Sequence, residues 1–131
     1  MAKRYDPLSA PKPEEWLDED EDERLMRVER YHKAARLRLP NVAAHAVFHV
    51  VVENQAALGA ETPVAEAIAR LISEGLDRHD AIHAVGAVFA NIYFEVAKQP
   101  GGREAGALQA AYFDRVRALT AARWREAREP E

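Results

Sequence analysis

Two stretches of this chain are apolar on every side of a helix, and they restrict the fold more than any other feature. Over residues 42–58, and again over 81–97, apolar residues recur without the polar stripe of a surface helix. A helix that is apolar all round usually lies in the centre of a fold. We therefore predict two central helices, over about 42–58 and 78–98, around which the rest of the chain packs.

Helical spacing and helix-terminating residues predict three further helices. The full predicted set covers about 18–38, 42–58, a short segment after Thr62-Pro63, 78–98 and 104–127. Pro40, Gly59 and Gly75 are suited to end helices, and Asn41 and Asp77 are suited to cap the start of the two central ones. No segment alternates between apolar and polar residues as a strand does. The predicted fold is an all-α, single-domain bundle of about five helices.

The chain has 131 residues, which is the usual size of one domain. Residues 1–17 contain three prolines and little apolar content, so they are predicted to form a flexible lead-in, with Trp16 able to dock on the core. The bundle domain is predicted over 18–127, followed by a short tail over 128–131.

The absence of cysteine limits the chemistry that is available. Without thiols the chain forms no disulfide, and any metal must bind to nitrogen and oxygen atoms. No apolar run approaches the roughly 20 residues of a membrane-spanning helix, and no signal peptide is visible. These features predict a cytoplasmic protein without a membrane partner.

Charge is distributed unevenly, although the net charge is only −4. Residues 18–23 are all acidic, and basic residues are then spread over 24–38. Acidic residues in the first turns suit the helix dipole, so the simplest interpretation is a solvated helix. The basic residues do not cluster as they do in nucleic-acid-binding proteins, which disfavours that function. A protein partner could instead dock on the charged first and last helices.

Four of the five histidines form two His-x-x-x-His pairs, one near the start of each central helix. The pairs are His45 with His49 and His79 with His83. A spacing of four residues places two side chains on one face of a helix, one turn apart. Two such pairs that meet would supply the ligands of a metal site.

Helix order predicts that the two pairs meet. With the short helix running back between them, the two central helices are parallel, so both pairs lie at the same end of the bundle. Helix axes pack about 8–10 Å apart, which is close enough for imidazoles from both sides to share one ion. Glu53 lies four residues beyond His49 and is a candidate fifth ligand, or an acceptor that orients a histidine. The predicted ion is a divalent transition metal, with zinc as the first candidate.

Three functions are compatible with this pattern. The first is metal binding with an unspecified reaction. The second is a metal-dependent hydrolase, because His79-Asp80-x-x-His83 is similar to the His-Glu-x-x-His of zinc hydrolases, although Asp80 also suits helix capping. The third is an interaction protein without chemistry, in which the buried histidines form a metal-free network. The sequence does not decide whether the protein is an enzyme.

The segment Asn41-x-x-x-His45-x-x-x-His49, followed by His79-Asp80-Ala81-x-His83, resembles the small bacterial family named domain of unknown function 1841. The resemblance covers about residues 41–98 and implies a helical fold in which the four histidines act together. This chain has Asp80 where the family commonly has glutamate. The resemblance implies no particular reaction.

Overall fold

The structure, a computed structural model, describes residues 4–34, 42–95, 98–100 and 104–128. Its helices are α1 (Pro13–Asp18), α2 (Glu21–Ala34), α3 (Val42–Ala57), α4 (Val64–Ser73), α5 (Arg78–Glu95), α6 (Ala105–Ala118) and α7 (Ala121–Arg128), with a 3₁₀ turn at Gly59–Glu61. No strand occurs in these ranges, so the predicted all-α class is confirmed. Among the described helices, none combines the length and apolar character that crossing a bilayer requires.

Two separate clusters of buried residues pack against helix α3, which accounts for the apolar residues on its different sides. Val52 belongs to the main core, which α4, α5, α6 and α7 complete. Ala46 and Val50 belong to a smaller core on another side of the same helix. The residues that complete this smaller core are Tyr5, Trp16 and Val28. Helix α3 therefore joins the N-terminal part of the chain to the C-terminal part.

The segment before α2 packs against the bundle, whereas the sequence predicts a flexible lead-in over 1–17. Tyr5 and Trp16 are both buried, with 5% and 1% of their surfaces exposed. The indole nitrogen of Trp16 donates a hydrogen bond of 2.8 Å to the side-chain oxygen of Asn54 on α3. Two large aromatic residues thus compensate for the low apolar content of this segment, and the docking expected for Trp16 is confirmed.

The predicted first helix over 18–38 begins later than expected, at Glu21, and is preceded by a separate helix. Helix α1 ends at Asp18, and Glu19 has an extended backbone with ψ of 147°. The guanidinium of Arg24 donates hydrogen bonds to the carbonyl oxygens of Leu17 and Glu19. The last carbonyl groups of a helix have no partner within it, and here Arg24 of the next helix supplies their hydrogen bonds. The chain can therefore turn at this point before α2 begins. The predicted end near Pro40 and the predicted cap at Asn41 lie outside the described residues.

The predicted last helix over 104–127 is divided into α6 and α7. Leu119 is extended, with ψ of 136°, so α6 ends before it. The hydroxyl of Thr120 then accepts a hydrogen bond of 3.1 Å from the backbone nitrogen of Arg123. This is the geometry of a helix N-cap, which restarts the helix in a new direction. Arg70 stabilises the break by donating to the carbonyl of Leu119 at 2.9 Å.

The end of α4 and the start of α5 lie where the sequence predicts them, whereas the predicted end of the second central helix near residue 98 adjoins residues outside the described ranges. Gly75 follows α4 with φ of 109°, a left-handed conformation that suits glycine and ends the helix. Asp77 accepts a hydrogen bond of 2.8 Å from the backbone nitrogen of Asp80, which confirms Asp77 as the cap of α5. The orientation of the first turn of α5 is thereby fixed, and this turn carries His79.

Two isoleucines on α4 provide a matched test of the core. Ile68 is 5% exposed and Ile72 is 42% exposed, although both lie on the same helix. We expect Ile68→Ala to lower the free energy of unfolding by about 2–5 kcal/mol, as measured by urea denaturation. Ile72→Ala should lower the free energy of unfolding by less than about 1 kcal/mol, because much of this side chain is in solvent and its removal leaves no enclosed cavity. Equal losses at the two positions would contradict the observed orientation of α4.

Candidate metal centre

Three histidines from the two central helices converge on one point. His45 and His49 project from one face of α3, and His83 projects from α5. The Nε2 atom of His49 lies 3.2 Å from the Nε2 atom of His45 and 3.1 Å from the Nε2 atom of His83. The Nε2 atoms of His45 and His83 are 3.1 Å apart. The three nitrogens therefore form a nearly equilateral triangle, which we call the histidine triangle.

The histidine triangle has the dimensions of one face of a metal coordination sphere. Ligands of a tetrahedral ion with bonds of about 2.0–2.1 Å lie about 3.3 Å apart, and adjacent ligands of an octahedral ion lie about 3.0 Å apart. The observed edges of 3.1 and 3.2 Å fall between these values. An ion about 2.1 Å from each nitrogen would lie about 1 Å out of their plane.

Hydrogen bonding alone does not satisfy the histidine triangle. A neutral imidazole nitrogen either carries a proton and donates or carries a lone pair and accepts, but it does not do both. Three such atoms therefore cannot each pair with the other two, and at least one short contact lacks a proton or a lone pair. A cation on the axis of the triangle would accept a lone pair from all three nitrogens at once.

The tautomer of His49 is fixed by the ring's other nitrogen. The hydroxyl of Tyr5 donates its proton to a carboxylate oxygen of Glu53 at 2.6 Å. The Tyr5 oxygen is therefore an acceptor towards the Nδ1 atom of His49, at 3.1 Å. With the proton on Nδ1, the Nε2 atom of His49 carries a lone pair directed at the histidine triangle. Such fixation of a ring by its second nitrogen is usual for metal-binding histidines.

Glu53 is held by Arg78 and Tyr5, so its contacts match an orienting role more closely than that of a fifth ligand. Both carboxylate oxygens accept hydrogen bonds of 2.8 Å from the guanidinium of Arg78. The pair is almost completely enclosed, since Glu53 is 1% exposed and the side chain of Arg78 is 10% exposed. Burial opposes the charged form of Arg78, but its bonds to Glu53 outweigh that effect and raise its pKa.

His32 belongs to the cluster, although its charged neighbours in the sequence suggest an exposed position. Its surface is fully buried, so that expectation is wrong. The Nδ1 atom of His32 donates to the carbonyl oxygen of Val28 at 2.9 Å, one turn earlier on α2. The Nε2 atom consequently carries a lone pair, and within the described part of the chain it has no hydrogen-bond partner.

His79 contributes to a second group of potential ligands. Ligand atoms of His32, His49 and His79 all lie within 4.8 Å of one another. The Nε2 atom of His79 is buried and, among the described residues, has no hydrogen-bond partner. His79 thus lies beside the histidine triangle rather than in it, and the second group shares His49 with the triangle. Neither group contains a carboxylate.

The surroundings of the cluster favour uncharged imidazoles. Burial, followed by the nearby rings of His32 and His79, lowers the pKa of His45 to about 4. Burial and the neighbouring histidines lower the pKa of His49 still further. Burial also lowers the pKa of His32 and of His79, although acidic residues near His79 act in the opposite direction. Neutral imidazole is the form that binds metal ions.

No family model, curated protein or solved structure matches this chain. The site therefore has to be interpreted from its own geometry and chemistry.

Sequence reasoning missed three residues of this site, and the sequence pattern could have identified one of them. His32 lies four residues after the apolar Val28, so it continues the buried stripe of α2. Tyr5 stands alone in a proline-rich segment, and Arg78 immediately precedes a histidine pair. No periodicity marks either residue, because their roles depend on contacts between distant parts of the chain.

The buried pair of Arg78 and Glu53 can be tested by removing one partner. We expect Arg78→Met to lower the free energy of unfolding by about 3–5 kcal/mol, because the carboxylate stays buried without its cation. Denaturant unfolding monitored by circular dichroism would measure the loss. Adding Glu53→Gln to this variant should restore part of the stability, since no buried charge then remains.

Arg117 provides the control for this experiment. Its side chain is 59% exposed and pairs with the exposed Asp114. Arg117→Met should therefore cost no more than about 1 kcal/mol. If the two arginine variants lost similar stability, the pair at Glu53 would not be as enclosed as the structure indicates.

Proposed function

We propose that this chain is a small cytoplasmic helical protein that binds a divalent transition-metal ion. Its primary ligands are the Nε2 atoms of His45, His49 and His83, and His79 adjoins them. The observation that carries the proposal is the histidine triangle, in which three imidazole nitrogens lie 3.1–3.2 Å apart inside the bundle. That separation suits nitrogens that share one ion.

The donor set narrows the class of ion. All of the grouped ligand atoms come from histidine, without carboxylate or thiolate. Neutral imidazoles suit zinc, copper, iron and nickel, whereas magnesium and calcium prefer oxygen ligands. Zinc remains the first ion to test, and the absence of a charged ligand leaves the bound site with the full positive charge of the ion.

A metal-free histidine network explains the contacts less well. It would leave at least one unsatisfied contact within the histidine triangle, in addition to the buried Nε2 atoms of His32 and His79, which have no hydrogen-bond partner among the described residues. Each buried polar group without a partner costs about 1–3 kcal/mol. A cation removes this cost because it accepts lone pairs. The resemblance to the domain of unknown function family 1841 stays a prediction, and the meeting of His45 and His49 with His83 supports treating these residues as a unit.

Metal analysis of the purified protein tests the proposal directly. We expect the wild-type chain, incubated with Zn²⁺ and then freed of unbound metal, to retain zinc when it is measured by elemental mass spectrometry. A His49→Gln, His83→Gln double variant should retain little, because only one nitrogen of the triangle remains. Wild type should also gain about 2.7 kcal/mol of stability when free zinc is 100 times the dissociation constant.

The control variant is Asn91→Ala, which alters an exposed position on α5 and keeps every histidine. It should retain zinc as wild type does. A folded wild-type protein that neither contains nor takes up zinc, copper, iron or nickel would disprove the proposal.

The contact between Tyr5 and His49 generates a second prediction. Tyr5→Phe removes the oxygen that accepts from Nδ1, so the orientation and tautomer of His49 are no longer fixed. We expect the metal dissociation constant to rise by about 10–100-fold, as measured by competition with a chromophoric chelator.

Tyr112→Phe is a matched control for this change. The hydroxyl of Tyr112 is also buried, and it donates at 2.6 Å to the side chain of Gln55, away from the histidines. Both variants lose a hydrogen bond, but only Tyr5→Phe should weaken metal binding. Equal metal affinities in the two variants would show that Tyr5 has no positioning role.

A further inference from the structure

Every histidine in the chain belongs to one cluster, including the two whose Nε2 atoms have no hydrogen-bond partner among the described residues. The ring of His32 lies 4.6 Å from that of His45 and 4.7 Å from that of His49, measured between centroids. The ring of His79 lies 4.3 Å from that of His83. His32 therefore packs beside the α3 side of the histidine triangle, and His79 packs beside its α5 side.

The buried Nε2 atoms of His32 and His79 need partners. His32 uses its only ring proton on the carbonyl of Val28, so its Nε2 atom can act only as an acceptor. Within the described residues, neither this atom nor the Nε2 atom of His79 receives a hydrogen bond. The His32 nitrogen is thus a buried acceptor without a donor, and the His79 nitrogen can act in the same way when its ring proton lies on Nδ1; a cation would accept the lone pair of each.

We propose that His32 and His79 complete the ligand set of the ion at the histidine triangle, so that five imidazoles bind one divalent ion. This inference rests on the proposed function and goes beyond it by assigning His32 as a ligand and fixing the ligand number.

The distances are compatible with a single six-coordinate ion. The triangle edges of 3.1–3.2 Å approach the separation of about 3.0 Å between adjacent octahedral ligands. Opposite ligands of such an ion lie about 4.2 Å apart. The ligand atoms of His32, His49 and His79 lie within 4.8 Å of one another, so these rings would have to move closer together to join the triangle around one ion.

Five protein nitrogens would leave one coordination position for a water molecule or a small ligand. Structural zinc almost always has four protein ligands. The five-imidazole set therefore favours ions that readily accept six ligands, such as divalent cobalt, nickel or iron. It also connects three helices through the metal, since His32 lies on α2, His45 and His49 on α3, and His79 and His83 on α5.

Titration with Co²⁺ tests this proposal, because cobalt reports its ligands through visible absorption. We expect wild type to bind one ion per chain. His32→Gln and His79→Gln should each raise the dissociation constant at least about tenfold. Each should also shift the visible bands to longer wavelength, because oxygen from water or glutamine has a weaker ligand field than imidazole.

Tyr31→Phe is the matched control. The ring of Tyr31 packs edge-on against His32 and His79, with centroids 5.1 and 5.8 Å away, but it offers no imidazole nitrogen. This variant should bind cobalt with wild-type affinity and the wild-type spectrum. X-ray absorption of cobalt-loaded wild type counts the imidazoles without any substitution, so the test stands even if a histidine variant fails to fold. Five imidazoles are expected.

The outcomes separate this inference from the proposed function. A wild-type protein that binds no metal overturns both. One ion with three imidazoles, two ions per chain, or wild-type affinity and spectrum in either histidine variant overturns the five-imidazole site and leaves metal binding by the triangle intact.

Discussion

The convergence of imidazole nitrogens inside the bundle is the interaction on which the rest of this structure depends. Burial lowers the pKa of His45 and His49, so both rings are neutral and carry lone pairs at ordinary pH. The same burial makes each unpaired lone pair costly. The interior of α3 and α5 would be more stable with apolar side chains at these positions unless something satisfies the nitrogens. A bound cation would resolve this conflict and would account for the polar residues that interrupt two otherwise apolar helices.

The charged groups next to the cluster support it without entering it. Glu53 has its two oxygens occupied by Arg78, and one of them also accepts from Tyr5. Because this carboxylate is held in place, it fixes the direction of the Tyr5 hydroxyl, and the Tyr5 oxygen in turn orients the ring of His49. The arrangement compensates the buried negative charge locally. It also occupies the carboxylate with other partners, so the candidate ligand groups contain only neutral side chains.

How much of this could be predicted from the sequence depends on the range of the interactions. The two central helices follow from stretches that are apolar on every side, the all-α class follows from the absence of strand-like alternation, and the meeting of His45 and His49 with His83 follows from helix order. The division of the last helix at Leu119–Thr120 depends on a side-chain cap and on Arg70 from a distant helix, so local propensity did not reveal it. His32 was misjudged because its charged neighbours in sequence obscured its position on the buried stripe. Tyr5 and Arg78 act through contacts across the fold, which spacing does not encode.

The position of His32 relates metal binding to the way the chain holds together. The N-terminal segment and α2 pack on α3 through a small core that contains few large apolar residues, whereas the other helices share a larger one. Hydrophobic burial scales with the apolar area removed from water, so the smaller core has fewer buried residues to contribute than the larger one. His32 is the one histidine on α2, and it lies against the α3 histidines. A metal bond at His32 would therefore add a direct link between α2 and α3, and the histidine cluster would then act as a structural joint as well as a binding site.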